Sequence, residues 1–106
     1  MEVFYKMEME QVLNKAKEDY KYITEIYSLV YSADVITEAR NHHRLDILKT
    51  IKGSGEGEFK AQCWDYNYLN GETILTRNML LPDVSSTTPQ HVLHRAVKWL
   101  AEGVID

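Results

Sequence analysis

Several groups of residues have the types and spacing to do chemistry. Gly53, Gly55 and Gly57 alternate in "GSGEG", a pattern that lets backbone N–H groups approach a phosphate. Cys63, the chain's one cysteine, precedes Trp64. A thiol there is a nucleophile only with a base and an electropositive setting. His42-His43 and His91-x-x-His94 are the metal-like groupings, and two histidines three apart on a helix can share an ion. Trp64, Tyr66 and Tyr68 alternate in "QCWDYNYL", with Arg77 in the run that follows. Aromatics on one strand face, with a cation across from Trp64, can capture a partner or stack on a base.

Each group also has a plainer reading. The glycine run, in "ILKTIKGSGEGEFKA", resembles the loop that covers nucleotide phosphates in protein kinases. Those enzymes need a lysine on the following strand and two metal sites in a much longer chain, so a hairpin connection is the better reading. Cys63-Trp64 is similar to the Cys-Trp of papain-like proteases, but that family's Gly-Ser-Cys context is absent. The position falls mid-strand beside Phe59 and Ala61, so a buried, inert thiol is expected. Adjacent histidines point apart, and neither grouping has the three or four ligands of a complete site. No metal and no cofactor are therefore assigned. His91 and His94 read as a solvated helix face.

Elements must position these residues. Met9, Leu13, Ala16, Tyr20, Ile23, Tyr27 and Val30 recur at steps of four and three, the spacing of one apolar helix stripe. The pattern is firmest over residues 7–20. Beyond Tyr22, where Tyr, Ile, Thr and Val accumulate, helix and strand both remain open. Residues 34–44 are favoured as a short helix or helical turn. Three strands follow, over about 45–52, 58–69 and 73–81. The last two are joined by Asn70-Gly71, a pair suited to the positive φ of a tight hairpin turn. That turn places Trp64 opposite Arg77 unless a bulge intervenes. Thr88 and Pro89 open a C-terminal helix over 89–102. Its stripe is Leu93, Ala96, Val97, Leu100 and Val104, with Trp99 at the edge, and Gly103 stops it.

The expected fold is one α+β domain over 1–106. A three-stranded antiparallel sheet carries a long N-terminal helix and a C-terminal helix packed on one face. The aromatic face is favoured as the core, because Asp65, Asn67 and Asn78 on the other face would need buried partners. The helix–strands–helix order resembles the double-stranded-RNA-binding domain in topology alone. The start of the last helix, "SSTTPQHVLHR", lacks the basic cluster by which that family holds phosphates.

Composition narrows the classes. The chain has 106 residues, 44% hydrophobic and 26% charged, with a net charge of −4. There are 10 acidic and 8 basic side chains up to Gly57, and 6 and 4 after it. Charge is evenly mixed, which disfavours nucleic acid and equally a dense phosphate mimic. A single cysteine forms no internal disulfide. "MEVFYKMEMEQV" does not read as a secretory signal, and no run is long enough to span a membrane. A cytoplasmic setting is expected.

Two functions stand in front, with an enzyme behind both. The first is a non-enzymatic protein-binding module using Trp64, Tyr66, Tyr68 and Arg77, with a homodimer through the N-terminal helix as one form. Small acidic chains of this kind include phage and mobile-element inhibitors that block a host complex by steric occupation. The alternative is a small-molecule or nucleotide binder, in which Gly53, Gly55, Gly57, Arg77 and His91 meet the aromatic hairpin.

Overall fold

The structure is a computed structural model that describes residues 8–38 and 41–102. The side chains of residues 68–69, 73–80 and 82–85 lie outside that description. Helix α1 (Met9–Asp19) is followed by strands β1 (Ile26–Ile36), β2 (His42–Lys52), β3 (Phe59–Leu69) and β4 (Glu72–Ser86), then helix α2 (Pro89–Glu102). The expected α+β class is present, with antiparallel strands and a helix at each end. The three expected strands are joined by a fourth, β1, in the order β1-β2-β3-β4.

Two expectations for the N-terminal half give way. The long helix is 11 residues, and Ile26–Ile36 is a strand rather than its continuation. β-Branched and aromatic side chains fit a pleated surface better than a helix, and β2 supplies the partner ladder. The short helix over 34–44 is replaced by the ends of β1 and β2, from Asp34 opposite Arg44 to Ile36 opposite His42. Residues 39 and 40 lie outside the description. At the start of α1 the Gln11 side chain accepts the Glu8 backbone N–H at 2.8 Å. Lys15 pairs with Asp19 one turn on at 2.9 Å, and that carboxylate holds the ammonium above its ordinary range.

The Asn-Gly turn is as expected. Asn70 and Gly71 sit at φ 53° and 82°, and Leu69 pairs with Glu72, Tyr68 with Thr73 and Tyr66 with Leu75. Nothing lies within 4 Å of where a Gly71 Cβ would stand, so alanine there meets strain of backbone conformation alone. Gly71→Ala is expected to lower stability by about 1 kcal/mol, read by urea unfolding.

The core lies between the sheet and α2. Leu45, Ile47, Ala61, Cys63, Leu81, Val92 and Ala96 form one buried cluster, flanked by Val35, Phe59, Leu93, Trp99 and Leu100. The packed face is therefore the Phe59–Ala61–Cys63 face, and the aromatic face is not the core. The buried stripe of α2 is also rotated from expectation: Val92 and Ala96 are covered while Val97 is 41% exposed. Pro89 opens α2, and the Thr88 carbonyl accepts the Val92 N–H. Gly103 and Val104 lie outside the described residues. On the core face of β2, Lys49 reaches Glu10 of α1 at 2.8 Å. Lys52 donates to the Lys17 and Tyr20 carbonyls, and Lys17 pairs with Glu56. These contacts fasten α1 to the Lys49–Lys52 end of β2. No helix among the described residues is long and apolar enough to cross a membrane.

Candidate functional site

Alternation along β2 and β3 sends Leu45, Ile47, Ala61 and Cys63 to the core face, and Arg44, Asp46, Gln62 and Trp64 to the other. The second face is built around a buried carboxylate. Asp46 is 3% exposed, although among the described residues no helix belongs to this face. Its neighbours cover it. Ser32 on β1 donates to Oδ1 at 2.8 Å. Trp64 on β3 donates its indole N–H to Oδ2 at 2.8 Å. Arg44 donates from Nη2 to Oδ2 at 3.1 Å, with Nε 3.1 Å from Oδ1. A buried carboxylate is tolerated only with such partners, and here three strands contribute them.

The same bonds fix the aromatics. The Arg44 guanidinium lies 5.1 Å from the centre of the Trp64 ring, so the indole is held at its N–H and on its face. Further along, His42 stacks on Tyr66 with ring centres 4.1 Å apart and planes inclined by 21°. His42 Nε2 lies 3.2 Å from Asp34 Oδ1. At the other end, Lys60 Nζ sits 5.5 Å from the Tyr27 ring centre and donates to the Ser54 carbonyl at 2.9 Å.

Of the residues singled out from sequence, Trp64 and Tyr66 meet on this uncovered face. Arg77 does not stand opposite Trp64. Thr76 is an extra residue in β4, so Arg77 pairs with Asp65 and Asn78 with Trp64. The cation over Trp64 is Arg44, from β2. The side chains of Tyr68 and Arg77 lie outside the description. His42 and His43 point to opposite faces: His42 meets Tyr66, and His43 meets Asp65 at 2.8 Å between Nδ1 and Oδ1.

The residues of the ligand-binding alternative are not drawn together. Gly53, Gly55 and Gly57 turn the chain between β2 and β3, all at positive φ. Asp65, which Arg77 faces in register, is six residues up β3 from Phe59. That is roughly 20 Å at ~3.4 Å per residue. A Cβ on Gly55 would stand 2.6 Å from Glu58 Oε2, so a carboxylate lies against this loop. His91 is exposed on the first turn of α2. An apolar groove of about 330 Å³ lies on the core face beside β1, lined by Val30, Tyr31, Ile47, Phe59, Pro89, Gln90 and Leu93. It includes none of these candidate residues.

Arg44, Asp46, Ser32 and the role of His42 escaped the sequence reading. The signal for Arg44 and Asp46 was a charged pair two apart in a strand, which places both on one face. Their register against Trp64 runs across the Gly53–Gly57 loop, which no turn signature fixes. No family model, curated protein or solved structure matches the chain.

Proposed function

We propose that the protein is a small, non-enzymatic protein-binding module that presents Trp64 and Tyr66, framed by Arg44 and His42, to a protein partner. It acts by occupying the partner's surface, and a cytoplasmic setting suits it. The observation that carries this reading is the burial pattern. The core cluster and α2 lie on one face, Lys49 ties α1 to the same side, and the aromatics stand on the other, half-buried. Trp, Tyr and Arg dominate protein-binding hot spots. An indole held by Asp46 and Arg44 loses little freedom when a partner closes on it.

Charge favours protein over phosphate. The described cations of this face are already engaged: Arg44 with Asp46, Lys60 with the Ser54 carbonyl, and Lys52 with the Lys17 and Tyr20 carbonyls. The net charge of −4 points the same way. Strand β1 extends the surface. Leu29 and Ile36, paired with Leu48 and His42 of this face, are exposed on it, and the strand carries neither Lys nor Pro, the usual protection of a free edge. A homodimer through α1 has less to draw on, since Leu13 and Ala16 are already half-buried in an 11-residue helix.

The test is capture from a nuclease-treated lysate of the source cell with the tagged full chain as bait. One dominant protein, indifferent to nuclease, is the expected result. Capture lost with nuclease, or no protein retained, would overturn the reading.

A further inference from the structure

We infer that His43, Cys63 and Asp65 form a binding site for a divalent metal ion of the zinc class. The site lies on the core face of the sheet, opposite the proposed partner surface, and does not depend on that proposal. β2 and β3 pair His43 with Asp65 and Leu45 with Cys63, so the three side chains occupy adjacent positions of one face. One ligand atom from each lies within 4.8 Å of both others.

This arrangement discriminates between two chemistries. In a nucleophilic relay the imidazole stands between thiol and carboxylate, one ring nitrogen toward each, which holds those two groups apart. Here the sulfur and a carboxylate oxygen are themselves neighbours. The three donor atoms are close enough for small side-chain movements, with the 2.8 Å His43–Asp65 contact opening, to bring them to three corners of a tetrahedral ion and leave the fourth to water. The donor set selects the metal. Sulfur and imidazole suit zinc, whereas magnesium and calcium take oxygen.

The surroundings support the site. Cys63 is buried among Leu45, Ala61, Leu81, Val92 and Ala96, so the floor is apolar and the ion's attraction to its ligands is little screened. The side chains of His43 and Asp65 are 19% and 35% exposed, which gives an ion entry from the rim. Binding requires the thiolate, so the Cys63 proton leaves as the metal–sulfur bond forms.

Co²⁺ is the probe, added to the chelator-treated full chain. The chain has one cysteine, so a thiolate-to-cobalt charge-transfer band reports Cys63 itself. The expected result is that band at one ion per chain, displaced by Zn²⁺. Asp65→Asn and His43→Gln should each weaken it about 10-fold or more. His91→Gln with His94→Gln should leave it unchanged. Asp65→Asn keeps the shape of a part-exposed side chain, so the fold survives the test even if Cys63→Ser does not fold. Absence of the band, a ratio of one ion to two chains, or indifference to Asp65→Asn and His43→Gln would overturn the site.

Discussion

Leu45→Ala is expected to cost about 3–4 kcal/mol, a large share of the stability of a chain this size. Leu45 is fully buried, with 0% exposure. It sits in the interior of the sheet, paired with Ala33 on β1 and Cys63 on β3. Val92 and Ala96 of α2 belong to the same cluster. Truncation removes the buried apolar area and leaves a cavity that a sheet paired on both sides cannot collapse to fill. The check is urea unfolding: the midpoint should fall steeply with no change in slope. A loss under about 1 kcal/mol would mean that the sheet is covered on the other face.

Asp46→Ala should be the next most damaging change, although Asp46 lies on the uncovered face. Its carboxylate accepts from Ser32, Arg44 and Trp64. Alanine leaves the indole N–H without its acceptor and the guanidinium without its counter-charge. Breaking a buried ion pair from one side costs about 3–5 kcal/mol. The Arg44 side chain is 29% exposed, and water will solvate part of it. About 2–3 kcal/mol is therefore expected, less than for Leu45. Trp64 should also lose its fixed environment, visible as a red-shifted emission in a Trp99→Phe background. Asp46→Asn keeps an acceptor for the indole and should be milder. Equal loss in both variants would assign the cost to the ion pair rather than to the Trp64 bond.

The sequence was legible where local chemistry dictates geometry. Asn70-Gly71 set the hairpin register out to Tyr66 and Leu75 because only residues tolerating positive φ fit that turn. Thr88 and Pro89 marked the start of α2 because the missing proline N–H costs nothing there. β1 was not legible for an equally local reason. Its register shifts at Ile26/Tyr27 and at Leu29/Tyr31 break the period-two alternation. Tyr20, Ile23, Tyr27 and Val30 meanwhile keep the helical spacing of α1. The core face is hidden in the sequence because its polar residues find their partners on the neighbouring strand. Asp65 argued against that face until His43 came to stand opposite it, and Asp46 was buried by the side chains around it rather than by a helix. Both facts live in the β2–β3 register, across a loop whose glycines leave that register open. Arg77 was displaced by the single extra residue at Thr76.

In the proposed function, Trp64 serves a partner rather than the core. The direct measurement is capture with Trp64→Ala as bait, beside its unfolding curve. The expected result is a folded variant, destabilised by about 1–2 kcal/mol through the lost Asp46 bond and Arg44 stacking, that no longer retains the protein bound by the wild type. A folded Trp64→Ala that still captures the same partner would contradict it.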